Sequence, residues 1–300
     1  MSFPYVTDIA NTLLGTNWDL PIPTFGVLVA CAILIAAYVA QKEVERQESN
    51  GRLPASTHTI VSEMVLVATL VGIVGARVFA IADAPAQFLA DPASMIFSRG
   101  GFSIYGGLCF GIAAGIIFLK RRGIPIAPML DAVAPAMMLG YGIGRLGCQV
   151  SGDGDWGILA NMALKPTWLP TWFWAQTYQG NIAGITIPAP GVYPTPIYEF
   201  LAALCLFGIL RMLRSPRHAS GYLFSVYLLL AGFERLIIEK IRVNVRYDLL
   251  GISLTQAEFI SVAIIVAGIV GVLLTFRTQT RWRIVFSLGV LVALSACTPH

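Results

Sequence analysis

The sequence predicts an all-α integral membrane protein: a bundle of seven transmembrane helices plus a short eighth C-terminal apolar segment, with the N-terminus outside. Three observations predict it. Apolar residues make up 56% of the 300 positions and charged residues 12%, about half the charge of an ordinary soluble domain. The mean hydropathy is +0.74. The apolar residues also fall into runs near the ~20 that a helix needs to cross a bilayer. A backbone in lipid must satisfy its own hydrogen bonds, so runs of this length are helices.

In chain order, spans are expected at roughly 22–41, 60–82, 100–119, 124–148, 196–213, 220–240 and 255–276, with a shorter run at 284–296. Ahead of the first, Met1 to Leu20 lacks a basic region followed by an apolar stretch and does not read as a cleavable signal. Lys and Arg assign the sides. Lys42, Arg46 and Arg52 follow span one, and Lys120, Arg121 and Arg122 follow span three. Arg211, Arg214 and Arg217 follow span five, and Arg277, Arg281 and Arg283 follow span seven. These alternate loops are expected inside, which puts the N-terminus outside. Lys240, Arg242 and Arg246 break the rule on the outer side, so they are expected to serve something other than topology. Residues 1–276 read as one transmembrane domain with an outer loop at about 149–195, and 277–300 as a basic flank and tail. The net charge of +4 lies mostly in short loops and speaks to topology, not to nucleic acid.

The long loop holds Trp156, Trp168, Trp172 and Trp174, a density that suits the membrane interface, and Pro166 and Pro170 break it into short pieces. Cys31, Cys109 and Cys205 sit inside apolar runs as small hydrophobes, whereas Cys148 and Cys297 lie at segment ends.

An arginine at the bilayer centre costs roughly 2.5–3.5 kcal/mol, which makes an intramembrane arginine a functional candidate. Arg77, Arg145 and Arg235 stand near the ends of spans two, four and six, all of which run outward. Spans three and five run inward and begin with polar motifs, Gly100 to Gly107 and Tyr193-Pro194-Thr195-Pro196-Ile197-Tyr198-Glu199. The polar groups of five spans are thus expected at one depth, facing the outer leaflet. Guanidinium forks bind phosphate oxygens bidentately, so the cluster suits a phospholipid headgroup. Each element also has a plain structural reading. Arg77 could snorkel or pair with Asp83, Gly106, Gly107 and Gly111 could pack helices, and Arg235 with Glu239 is an i,i+4 pair.

Taken together, these residues resemble the prolipoprotein diacylglyceryl transferase family. Its signature, Gly-Arg-x-Gly-Asn-Phe-x-Asn-x-Glu-x-x-Gly, is similar to the stretch Gly144 to Gly157. Further similarity lies in Gly75-Ala76-Arg77, Gly100 to Gly107, Asp131 with Pro135 and Gly140, and Pro194 with Tyr198 and Glu199. It continues through Gly232, Arg235, Glu239 and Arg242 to Gly251 and Gln256. The resemblance implies transfer of diacylglyceryl from phosphatidylglycerol to the thiol of a lipobox cysteine in prolipoprotein signal peptides. It implies no cofactor, no metal, and a multi-pass place in the bacterial cytoplasmic (inner) membrane with the active site facing the periplasm. Arg145 and Arg235 would hold the departing phosphate, with Tyr105 as the third catalytic position. Arg77, Gly106, Gly107, Ser151, Asp153, Tyr198, Glu199, Glu239 and Arg242 would bind substrate or support the site. The sequence departs from the signature where Cys148 and Ser151 replace asparagines and where one inserted residue blurs the acidic position between Asp153 and Asp155. Some members carry a histidine, proposed as a base, at the place of Tyr105, and here the base is unassigned. The alternative class is a non-catalytic lipid-binding or transport protein on the same scaffold, although no internal repeat of the kind transporters show is present.

The tail adds a second motif. Arg281-Trp282-Arg283, an apolar run from Ile284 and Leu294-Ser295-Ala296-Cys297 have the order of a lipoprotein signal, making Cys297 a candidate self-substrate. The other reading is a chance match on a short helix.

Overall fold

The computed structural model describes residues 2–97, 102–244, 246–249 and 252–296, the stretch 277–296 as backbone alone. Its helices are α1 (Val6–Leu14), α2 (Thr24–Ser49), α3 (Val61–Asp83), α4 (Pro85–Ala90), α5 (Pro92–Phe97) and α6 (Ile104–Arg121). There follow α7 (Ile126–Ser151), α8 (Thr171–Trp174), α9 (Thr195–Leu213), α10 (Tyr222–Ile238) and α11 (Gln256–Ala296). A two-stranded antiparallel hairpin, β1 (Arg246–Leu249) and β2 (Ile252–Thr255), precedes α11. Among the described residues, six helices are long and apolar enough to cross a membrane: α2, α3 with the 3-10 turn before it, α6, α7, α9 and the Gln256–Phe276 part of α11. The remaining expected span, α10, has 17 residues, the short end of what crosses a bilayer.

One expectation is corrected. The run at 284–296 is no separate segment, because α11 continues unbroken through 41 residues. Residues 277–283 contain neither Gly nor Pro, so nothing in the backbone interrupts the hydrogen-bond ladder. The short helices α1, α4, α5 and α8 and the hairpin were not foreseen.

The chain divides into two compact units, 1–36 with 133–300, and 37–132. In the unit 37–132, α3 and α6 pack glycine to glycine. A Cβ at Gly75 would strike Phe110, and one at Gly106 would strike the Gly75 carbonyl. Backbones this close are how small residues join helices without a hydrophobic driving force.

In the other unit, Met138 of α7, Ala203 and Leu210 of α9 and Leu223 of α10 form a buried core. A Cβ at Gly142 would come 2.9 Å from that of Ala203, so α7 and α9 touch closely one turn before Arg145. The loop after α7 has its own small core of Trp156, Tyr178, Ile187 and Val192. Trp156 is therefore buried inside the loop, not anchored at a membrane surface, while Trp168 and Trp172 are exposed. Backbone bonds lash the loop to the end of α10, including Ile158 N–H to the Ile241 carbonyl at 2.8 Å. The N-terminus runs beside the same loop, Ser2 and Phe3 donating to the Gln179 and Val150 carbonyls at 2.7 Å each.

Candidate active site

The site begins where α7 ends. Gly152 takes φ +65° and closes the helix, and Gly154 at φ +102° turns the chain again, conformations that glycine adopts at no steric cost. These two turns swing Asp155 back over the last turns of α7. There its carboxylate receives Arg145 Nη1 on one oxygen and Arg242 Nη2, at 2.5 Å, on the other. Thr195 Oγ1 secures the same residue by donating to its backbone carbonyl at 2.8 Å. The sequence left the acidic position between Asp153 and Asp155 and named Asp153 among the substrate-binding residues. In the structure the guanidinium bonds go to Asp155, and Asp153 accepts from the Asp155 amide at 3.2 Å.

Glu199, in the first two turns of α9, is the centre of the cluster. Its fully buried carboxylate forms an ion pair with Arg145 Nε at 2.9 Å and accepts from Arg242 Nη1 at 3.0 Å and the Tyr141 hydroxyl at 2.6 Å. Arg235 Nη1 lies 3.9 Å from it, and Arg235 Nη2 pairs with Glu239 Oε2 at 3.0 Å. Asn244 donates to the other Glu239 oxygen at 2.6 Å. Three helix ends thus converge on three guanidiniums held apart by buried carboxylates. A buried charge is tolerated when it is paired and hydrogen-bonded.

The pairing is incomplete in one informative way. In the cluster, the donors Arg235 Nη1 and Arg242 Nε and the acceptor Glu239 Oε2 are buried and have no hydrogen-bond partner among the described residues. A buried donor left without an acceptor costs about 1–3 kcal/mol, so two in one cluster point to an acceptor that is not part of the chain. Phosphate oxygens supply acceptors of that kind.

The loop carboxylates titrate apart. Burial works to raise Asp155, but Arg242 and then Arg145 outweigh it and hold the carboxyl below its ordinary range. Burial raises Asp153, and the charge of Asp155 raises it further, against the hydrogen bond from Cys148. Cys148 is buried, with Sγ 3.7 Å from Asp155 Oδ2 and 3.8 Å from Arg145 Nη1. Cys148, Asp153 and Asp155 bring their ligand atoms within 4.8 Å of one another, but both Asp155 oxygens are already taken by guanidiniums.

Of the residues expected from sequence, Arg145, Glu199, Arg235, Glu239 and Arg242 meet here. Ser151 is fully buried and donates to the Gly147 carbonyl at 2.8 Å. The Tyr198 hydroxyl donates to the Phe173 carbonyl at 2.7 Å, fastening the loop to α9. Arg77, Tyr105, Gly106 and Gly107 belong to the unit 37–132. There Arg77 donates to the Met95 carbonyl at 3.0 Å and lies 4.1 Å over the Phe102 ring. Gly106 is buried against Gly75 and Phe79, Gly107 lies near Ala76, and Tyr105 is exposed. Gly100, Gly101 and Cys297 lie outside the described residues.

Sequence reasoning missed Tyr141 and Glu234. Arg145 lies 5.1 Å over the Tyr141 ring, and the Glu234 oxygens lie 3.3 and 3.4 Å from the Tyr141 hydroxyl. The signal was present: Glu234 is an ionisable residue inside an apolar run, as Arg235 is. Beside the site, an open cleft of about 490 Å³ is lined by Gln149, Trp172, Ala175, Gln176, Thr177, Pro190 and Ile197.

Comparison with known proteins bears on this geometry. The profile of the prolipoprotein diacylglyceryl transferase family matches residues 13–274. A phosphatidylglycerol–prolipoprotein diacylglyceryl transferase of Leptospira interrogans is 29% identical over 80% of this chain and 77% of its own length. Proteins of the same name from Shouchella clausii and Bacillus cytotoxicus are each 28% identical. The first match covers 82% of this chain and 83% of the relative, the second 86% and 89%.

Proposed function

The chain belongs to the prolipoprotein diacylglyceryl transferase family, and from that membership we propose how its site carries out the transfer. The protein moves diacylglyceryl from phosphatidylglycerol to the thiol of a lipobox cysteine. The sulfur forms a thioether bond to the glycerol carbon, and the carbon–oxygen bond to phosphate breaks, releasing glycerol phosphate. The two buried guanidinium donors without a partner, Arg235 Nη1 and Arg242 Nε, carry this reading. They are fixed before substrate arrives, aimed at where a phosphate gains charge as it leaves, and preorganised donors in a dry site are the strongest lever on such a barrier. Arg145, gripped by Asp155 and Glu199, adds a third positive charge.

The rest of the arrangement follows from that role. With α10 counted as a seventh span, the ends of α7 and α10 and the start of α9 are read as outside, in the periplasm. The bonds of Ser2 and Phe3 to the long loop support an N-terminus on the same side. The protein then lies in the inner membrane with phosphatidylglycerol entering laterally and the prolipoprotein signal peptide presenting its lipobox cysteine from the lipid. Arg77, Tyr105, Gly106, Gly107, Ser151, Asp153 and Tyr198 are the proposed supporting positions. Cys297, one residue past the described end of α11, is a proposed self-substrate. Mass spectrometry of the C-terminal peptide from membranes tests it, and an unmodified thiol in active enzyme would sink it.

Expression in a bacterium depleted of its own transferase tests the function. Wild type should restore lipoprotein maturation, while Arg145→Ala and Arg235→Ala, at equal membrane abundance, should not. Accumulated unmodified prolipoprotein with wild type present would count against the proposal.

A further inference from the structure

The transfer requires a group to accept the thiol proton, and the three histidines are poorly suited. His58 is bound to Glu48 at 2.9 Å, His218 precedes the opposite end of α10 from Arg235, and His300 is outside the described residues. We propose that Glu234 is the general base for the lipobox thiol, with Tyr141 as the residue that positions it. This rests on the transferase reading above.

The carboxylates of the site differ in what already occupies them. Asp155 holds two guanidiniums, Glu199 holds two guanidiniums and the Tyr141 hydroxyl, and Glu239 holds Arg235 and Asn244. Glu234 has no guanidinium within 4.0 Å among the described residues, where its side-chain hydrogen bonds are those at 3.3 and 3.4 Å to the Tyr141 hydroxyl. That hydroxyl is closest to Glu199, at 2.6 Å, and reaches Glu234 at the longer distances that fix where its carboxylate stands. Both Glu234 oxygens are left with acceptor capacity.

Position agrees with occupancy. Tyr141 precedes Arg145 by four residues in α7, about 6 Å of rise toward the middle of the helix. In a phospholipid the glycerol carbon bound to phosphate lies on the acyl side of that phosphate, and displacement requires sulfur opposite the leaving oxygen. The thiol must therefore approach from the interior side of the guanidiniums, the side on which Glu234 stands one residue inward of Arg235 in α10. The thiol proton passes to the Glu234 carboxylate as sulfur bonds to carbon. The electron pair of the broken carbon–oxygen bond leaves on phosphate beside Arg235 and Arg145. Glu234 then returns the proton to glycerol phosphate, which accepts one more proton than the diester did.

A selenocysteine peptide separates this role from a structural one, because a selenol is already ionised at neutral pH and needs no base. With purified enzyme, Glu234→Gln should slow transfer to the cysteine peptide by about 100-fold or more, the usual reach of a general base. The same variant should transfer to the selenocysteine peptide within a few-fold of wild type. Equal loss on both peptides, or undiminished transfer to cysteine, would overturn the assignment. Should the amide variant not fold, Glu234→Asp keeps the charge and shortens the reach. It too should lose rate on cysteine selectively, and equal loss would again overturn the idea. Wild type that transfers to neither peptide would overturn the transferase reading itself, an outcome distinct from failure of Glu234 alone.

Discussion

Glu199 holds the guanidiniums in place because an ionised carboxylate accepts on two oxygens, whereas a neutral amide has one acceptor oxygen and no charge. In Glu199→Gln one of the two acceptor oxygens, which face Arg145 with Tyr141 and Arg242 respectively, becomes an NH2 group, a donor aimed at donors. Breaking a buried ion pair from one side costs about 3–5 kcal/mol, and fully buried Glu199 is paired on both oxygens. The expected outcome is a protein with a clearly lowered unfolding temperature in detergent; an unchanged one would show that the arginines hold themselves. The loop carboxylates make an opposite pair. Asp155 has a lowered folded pKa, so its contribution is present above the unfolded value, ~3.9, and is lost as pH falls through the folded one. Asp153 has a raised folded pKa, so it favours the fold only at low pH and opposes it as pH rises past the unfolded value. At neutral pH, Asp155→Asn should lower the unfolding temperature and Asp153→Asn should raise it. A fall in both would contradict the assignment of roles. The choice between these aspartates was not legible in the sequence, because two glycines at positive φ, not residue type, decide which one faces the arginines. Arg145, Arg235 and Glu199 were legible because charge inside an apolar run is expensive. Tyr141 was not, since tyrosine in such a run is ordinary.

Among the helices, α7, α9 and α10 bring the site together because small residues let their neighbours come close. Gly142 admits α9 one turn before Arg145, and Gly232 admits α11 behind Arg235, where a Cβ would meet Ile265. In the unit 37–132, Gly75 and Gly106 serve α3 and α6 in the same way. Overpacking of such a contact costs about 1–3 kcal/mol. Gly106→Val should therefore reduce the folded fraction in membranes, with any surviving enzyme keeping its apparent affinity for phosphatidylglycerol. Weakened affinity at full stability would instead make Gly106 a substrate contact. Helix positions were readable from apolar run length, whereas the small loop core around Trp156 was not. Four tryptophans in one loop suit either an interface or an interior, and only the contact of Trp156 with Tyr178, at 5.1 Å between ring centroids, distinguishes them.

For the whole molecule, the account is one of sidedness: within the unit 1–36 with 133–300, buried charge gathers at the ends of α7, α9 and α10 beside a loop that also receives the N-terminus. With native cysteines replaced, Thr12→Cys should react with an impermeant thiol reagent from the periplasm and Asn50→Cys only after the inner membrane is opened. The reverse pattern would invert the proposed topology. Positive charge in the loops is what the proposed orientation rests on; it does not bear on the continuity of α11, which depends on there being no Gly or Pro at residues 277–283. The central claim is that Arg235 and Arg242 keep buried donors in reserve for a departing phosphate. Its most direct test is purified enzyme given phosphatidylglycerol and a lipobox peptide, with thioether peptide and glycerol phosphate counted together. Wild type should yield the two products one to one, and folded Arg235→Ala should yield less than about 1% of either, the scale of losing one preorganised donor. Wild type that binds phosphatidylglycerol without forming either product, or Arg235→Ala that matches its rate, would contradict the account.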